Sequence, residues 1–455
     1  MKWYIWRNPK RRQVKTIKVI GAGRSSSSLI RYLLQHSEAE NWKIIVADMD
    51  QAMAASKVNG HANGEAIAFN ATDAEARKEL VKDADLVISM LPAVMHLDVA
   101  KDCLEAGISV ITPSYVTEGM KALHEEVKGK GLLFLNEMGV DPGIDHMSAM
   151  KIIHEIQEKG GSLTRFESFT GGLIAPESDN NPWNYKFTWN PRNVVLAGQG
   201  GTAQFQQDHE LKYISPYRVF QRVKPIHIDG YGDFEGYANR DSLSYKSVYG
   251  LESIPTIYRG TLRKQGFCAA WDVFVQLGMT TEDFEIDTKG GMTYRMFTNA
   301  FLTFDPNKRV EEKLQHQLDV SDEVMSKLTW LGIFEDREIP IAKATPAKIL
   351  QILLEEKWQL APEDKDMIVM WHRFNYMLDG KEHELHSSMV SIGEDQTYTA
   401  MSNTVGLPVG IAARMYLRGE FSERGVVLPI IPSIYLPILE ELKTYDINFK
   451  ETLVH

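Results

Sequence analysis

Residues 21–26 read Gly-Ala-Gly-Arg-Ser-Ser, directly after a short apolar run and directly before a helix-like stretch. That order suits a dinucleotide. Gly21 permits a tight turn, Gly23 lets the backbone approach a pyrophosphate, and the helix start offers unpaired N–H groups to the phosphates. Arg24, Ser25 and Ser26 complete the loop, with Ser26 where a third glycine is common. A second apolar run ends at Asp48, whose carboxylate can accept both adenosine ribose hydroxyls. Asp73, after the third run, either lines the adenine or caps the next helix. Leu91 and Pro92 open a loop beneath the expected nicotinamide ribose, and Thr112 and Ser114 place a hydroxyl pair after the fifth run.

Asp141 precedes Pro142, a pairing typical of a helix N-cap followed by proline at the first helical position. An anchored carboxylate there can also meet a substrate ammonium. Asp145 and His146 fall in the first turn of that helix, where His146 reads as structural. Further on, Thr170-Gly171-Gly172 and the polar, aromatic blocks 176–189 and 239–242 read as a site-forming surface. Arg240, Lys186 and Arg263 are candidate carboxylate binders, the arginines through a bidentate fork. The histidines show no metal-ligand spacing, so no metal is expected.

The elements that must position these residues alternate between two periods. Apolar runs at 17–20, 43–47, 66–69, 86–90, 109–111 and 132–135 are separated, in most cases, by helical stretches at 27–36, 73–81, 95–106 and 118–128. The pattern predicts an α/β, doubly wound parallel sheet of Rossmann type, with ligands beyond the carboxyl ends of its strands. Residues 161–275 carry short strand-like pieces and turns. Residues 280–358 read as helices, including 312–318, 321–331 and 346–356. Residues 367–378 and 382–392 read as two strands joined at Asp379-Gly380, and a helix is expected over 408–417.

The chain of 455 residues is too long for one core. Its net charge of −11 argues against nucleic acid and anionic membrane surfaces as partners. Two cysteines, Cys103 and Cys268, exclude a disulfide framework and suit a reducing, cytoplasmic setting. The most apolar run, 426–439, is broken by three prolines and is no membrane span. The basic, aromatic first fifteen residues read as a loose leader.

Taken in order, the segments IKVIGAG, DLVISMLP, ITPSYVT, NEMGVDPGIDHMSAMK, GGLIAPESDNNPWNYKFTWNPRNVVL, YANRDS and IYRGTLRKQGF resemble the saccharopine dehydrogenase family over residues 16–445. The resemblance implies a Rossmann domain (16–140 with 405–455), a mixed-sheet α+β substrate and dimerisation domain (141–279 with 360–404), and a small helical domain (280–359). It implies a homodimer that oxidises saccharopine to L-glutamate and 2-aminoadipate 6-semialdehyde in lysine metabolism. By motif it carries substrate roles onto Ser114, Asp141, Thr170, Gly171, Gly172 and Arg240, with Asp141 the one candidate for catalysis. Departures include Thr170 where many members have cysteine, Ile174 where proline is frequent, and Arg24 opening a serine-rich loop.

Two other readings compete: a dehydrogenase of another secondary-amine amino acid such as carboxynorspermidine, and a non-catalytic dinucleotide-binding protein. For the cofactor the residues favour NAD over NADP. A 2′-phosphate would face Asp48 and Asp50. Met49 stands near where NADP-using members of the family tend to carry arginine, and Lys57 is expected to point elsewhere.

Overall fold

The computed structural model describes residues 14–454, so the leader lies largely outside the described residues. Six runs form strands β1 (Lys15–Ile20), β2 (Trp42–Asp48), β3 (Gly64–Ala68), β4 (Leu86–Ser89), β5 (Val110–Ile111) and β6 (Leu133–Leu135). With a seventh strand, Gly425–Val427, they make one parallel sheet in the order Gly425–Val427, β6, β5, β4, β1, β2, β3. Both faces are covered, which is why Ile17, Val19, Ile44, Val46 and Leu86 to Ile88 are buried and the strands read as continuous apolar runs. Helices α1 (Ser27–Glu40), α2 (Gln51–Val58), α3 (Ala74–Val81) and α4 (His96–Ala106) make the crossovers. The strand order reverses between β1 and β4, the place where such sheets bind ligands. The stretch expected as one helix over 118–128 is two, Glu118–Lys121 and His124–Gly129.

The chain divides into two compact units, residues 1–147 with 402–445, and 148–401 with 446–455. The second unit is built on a mixed sheet. Its strand β7 (Ser162–Ile174) runs parallel to Thr256–Lys264 and antiparallel to Asp366–Leu378. Asp366–Leu378 and Lys381–Ile392 form the expected hairpin, and Asp379 and Gly380 both take positive φ, 50° and 75°. The helices Val310–Leu318, Asp322–Leu331 and Pro346–Lys357 share one hydrophobic core with this sheet.

Two departures concern the C-terminal third. A helix expected from Pro408 runs over Ala400–Arg418 with Pro408 inside it. The last strand, Phe449–Leu453, pairs with Lys381–Ile392, so the segment after 445 completes the second sheet rather than the first unit. A third departure is the aromatic block. Trp183, Tyr185 and Phe187 are not surface; they are buried against Phe267, Trp271 and Trp358. Large rings bury more apolar area than any other side chain, and here that outweighs the turn-rich context.

Candidate functional site

At the end of β1, Gly21 has φ +104°, and a side chain there would strike the Met90 carbonyl carbon and oxygen at 2.9 and 2.8 Å. Glycine is therefore required where the strand order reverses. Gly23 is extended and exposed, with nothing within 4 Å of an added Cβ. A one-turn helix, Arg24–Ser26, leads into α1, whose first turn holds no acidic residue. An open backbone at a helix start without carboxylates fits the pyrophosphate of a dinucleotide. Part of the loop's support was not legible in the sequence. The Ser28 amide and hydroxyl bond Ser402 Oγ at 2.9 and 3.0 Å, and the Ser28 hydroxyl bonds Asn403 Oδ1 at 2.5 Å. No local pattern relates positions 374 residues apart.

Asp48 is placed at the expected strand end, but its oxygens face the main chain. Oδ2 accepts the Ala22 amide at 2.6 Å and Oδ1 the Asp50 amide at 2.9 Å. Lys57 does not point elsewhere. Its ammonium donates to the Gly23 carbonyl and lies 3.2 Å from Ser26 Oγ. Burial pushes the Lys57 ammonium down to about 8, with Asp48 acting in the opposite sense. Met49 is exposed, and Asp73 caps α3 through the Glu75 and Ala76 amides at 3.1 Å. Leu91 is half-buried and Pro92 exposed, just past β4.

Beyond β4 and β5 the hydroxyl residues converge on an imidazole. His96 Nδ1 lies 2.8 Å from Ser89 Oγ, and Nε2 lies 2.7 Å from Ser114 Oγ. Asp141 accepts the Tyr115 hydroxyl at 2.8 Å. The helix after it is Ile144–Glu158, so Pro142 stands ahead of that helix and not at its first position. The loop is clamped from below. The buried Glu137 accepts the Val116 amide at 2.9 Å and meets His146 Nε2 at 2.7 Å, and Asp145 accepts the Gly143 amide at 2.6 Å. His146 is fully buried and holds the loop.

In the second unit Thr170, Gly171 and Gly172 lie mid-strand in β7. An added Cβ at Gly171 would meet the Leu262 carbonyl at 2.7 Å, and one at Gly172 the Thr188 hydroxyl at 3.0 Å. The buried Thr170 and Thr188 hydroxyls have no hydrogen-bond partner among the described residues. The three candidate cations separate clearly. Lys186 is buried in an ion pair with Asp364 at 2.5 Å. Arg263 is buried among the rings of Tyr185, Tyr237 and Phe267 and donates to the Leu262 carbonyl. Arg240 is exposed, its guanidinium lies against Gly200, and it makes no ion pair among the described residues. A groove of about 670 Å³ lined by Arg165, Asp208, Arg373 and Glu384 offers no such group, because its arginines already pair with those acids. Among the described residues no cluster fits a metal, and no helix is long and apolar enough to cross a membrane.

Comparison with known proteins bears on the whole chain. A family model described as the saccharopine dehydrogenase NADP binding domain matches residues 17–135, and one described as the saccharopine dehydrogenase C-terminal domain matches 139–447. A Saccharomyces cerevisiae protein named saccharopine dehydrogenase [NADP(+), L-glutamate-forming] is 33% identical over 97% of this chain and 99% of its own. An Arabidopsis thaliana alpha-aminoadipic semialdehyde synthase is 33% identical over 90% of this chain, which spans only 40% of that protein. The solved apo saccharopine dehydrogenase (L-Glu forming) from S. cerevisiae superposes with a TM-score of 0.88 at 31% identity, covering 97% of this chain and 100% of that one. These names overturn the expected preference for NAD, since both the relative and the N-terminal domain model specify NADP. The expectation failed on geometry: Asp48 is turned onto the Ala22 and Asp50 amides, and Lys57 brings a cation to the loop.

Proposed function

The chain belongs to the saccharopine dehydrogenase family, and from that premise we propose that it oxidises saccharopine with NADP, giving L-glutamate and 2-aminoadipate 6-semialdehyde. The bound nicotinamide supplies the hydride acceptor. The Gly21–Ser26 loop and the start of α1 hold the pyrophosphate. Lys57 and Arg24 supply positive charge for the adenosine 2′-phosphate in place of the arginine that Met49 displaces. Arg240 grips a substrate carboxylate through its planar fork. Asp141 holds the substrate's amino end, with Tyr115 fixing its orientation. Ser114, Thr170, Gly171 and Gly172 complete the substrate contacts. Oxidation removes a hydride from the ε-carbon of the lysine portion and a proton from the secondary amine, so that the imine forms on the carbon that becomes the aldehyde. Water then adds to the resulting imine, and the C–N bond breaks to release the two products.

The observation that carries this reading within the family is Arg240, the one of three candidate cations left without an ion pair or an aromatic enclosure among the described residues. The experiment is the initial rate of reduced-nicotinamide formation on adding saccharopine with NADP and, separately, with NAD. Turnover with glutamate as product is expected, faster with NADP. No turnover with either cofactor removes the substrate assignment, whereas faster turnover with NAD removes only the cofactor assignment. We also propose a homodimer. The strand Glu210–Ile214 of the second unit pairs with Ala203–Gln207 on one side only among the described residues, and it exposes Leu211 and Tyr213, an apolar pair on an edge strand. Sedimentation at twice the 51.6 kDa chain mass is the check.

A further inference from the structure

Ser89 is the last residue of β4, Thr112 follows β5 directly, and His96 is the first residue of α4. The two strands therefore hold hydroxyls on either side of one imidazole. His96 is 5% exposed and Ser89 is fully buried. Burial alone pushes the imidazole down to about 4, so the ring is neutral near pH 7. Its place at a helix start favours the same state, because the positive end of the helix opposes a second positive charge.

A neutral imidazole carries one proton, and the neighbours decide where. The Ser89 hydroxyl has a single hydrogen-bond partner among the described residues, His96 Nδ1 at 2.8 Å. Were the proton on Nδ1, the Ser89 hydrogen would point at no acceptor among the described residues, and Ser89 is fully buried. An unmade bond of that kind disfavours the Nδ1-protonated form by about tenfold. Ser89 therefore donates to Nδ1, and the ring proton sits on Nε2. Thr112 Oγ1 does not change the assignment. It lies 3.3 and 3.4 Å from the two ring nitrogens, side-on to both, and accepts the Ser114 amide at 3.4 Å.

With the proton on Nε2, His96 donates to Ser114 Oγ at 2.7 Å. Ser114 is half-buried, and its hydroxyl has no acceptor of its own among the described residues. We propose that His96 is a positioning residue that fixes Ser114 as a hydrogen-bond donor toward the substrate. Ser114 then holds a carboxylate oxygen of saccharopine, not its ammonium. This rests on the proposed substrate role of Ser114 and adds the polarity of that contact. The ammonium is left to the only carboxylate of the same loop cluster assigned to substrate, Asp141. The order Ser89, His96, Ser114 passes one donor direction from a buried strand end to the open side.

The test has two arms on the full chain. In the first, ¹⁵N NMR of the histidine rings near pH 7, with His96 assigned by its loss in His96→Gln, reads the tautomer without any ligand. A protonated Nε2 and a bare Nδ1 are expected; a protonated Nδ1 overturns the inference. In the second, kcat and KM for saccharopine are measured in a double-mutant cycle. Ser114→Ala is expected to raise KM about tenfold. His96→Leu should do about the same on the native background and nothing further on Ser114→Ala. His96→Gln, which keeps an amide donor at the ε position, should recover most of the loss. Dinucleotide affinity should move little in all variants; the melting temperature should hold in Ser114→Ala and fall in His96→Leu, which strands the buried Ser89 hydroxyl, so KM is compared at a temperature where every variant is folded. If Ser114→Ala leaves KM unchanged, the substrate role of Ser114 falls and takes the inference with it. If Ser114→Ala is impaired but His96→Leu is silent, or adds its full effect on the Ser114→Ala background, the inference alone falls.

Discussion

Arg240 is exposed beside Gly200, with the fork of its guanidinium free of any ion pair among the described residues. Arg240→Ala should lower saccharopine kcat/KM by about 2–5 kcal/mol of lost transition-state stabilisation, and Arg240→Lys should recover little. Intact kinetics in the alanine variant would return Arg240 to the solvated surface. Lys57 makes the opposite kind of claim, about discrimination. Lys57→Ala should cut the NADP:NAD ratio of kcat/KM about tenfold while sparing NAD, and an unchanged ratio would clear Lys57 of that role. His96 predicts a pH effect on stability. Its native value, pushed down to about 4, lies below the ordinary 6.5, so the unfolded chain takes the proton first. The stability of the neutral ring is whole above pH 6.5 and is lost as pH falls toward 4, by about 3 kcal/mol. Urea titrations of wild type and His96→Gln at both ends of that window should show the gap between them change by this amount; a constant gap would refute it. At this scale the sequence revealed residue types at strand ends but not side-chain direction. Asp48 stood where expected yet turned onto Ala22, and Lys57 reached back across a helix that was expected to carry it away.

Elements were legible where one period ruled. Strands buried on both faces appear as unbroken apolar runs, so β1 to β6 could be placed to within a few residues. The Asp379-Gly380 turn was legible because both residues tolerate positive φ. The helix Ala400–Arg418 was not, since proline is most at home at a first helical position and the stretch 400–407 is polar and small. Two of its features are set by neighbours. Asp366 accepts the Ala400 and Met401 amides at 2.5 and 2.9 Å, capping the start. Gly406 and Gly410 let the helix approach α1, where an added Cβ would meet the Leu29 amide nitrogen and a Tyr32 ring carbon, each at 2.7 Å. Gly406→Ala should therefore destabilise by about 1–3 kcal/mol in spite of alanine's better helix propensity. A gain in melting temperature would show that α1 can yield.

On the scale of the whole molecule, neither sheet is a contiguous stretch of chain. The first is completed by Gly425–Val427 beside β6, and the second by Phe449–Leu453 beside Lys381–Ile392. During synthesis the ribosome releases β6 some 290 residues before its neighbour Gly425–Val427 exists. Until then β6 is an edge with unpaired amides and carbonyls, a template for pairing with another chain. The nascent N-terminal part is thus the stage most in need of a chaperone, and a premature stop after residue 400 should yield an aggregate rather than a working half. Expressing residues 14–147 alone should give insoluble protein, and co-expressing residues 402–445 should restore solubility. Soluble, cooperatively unfolding 14–147 by itself would mean that the first six strands need no late partner.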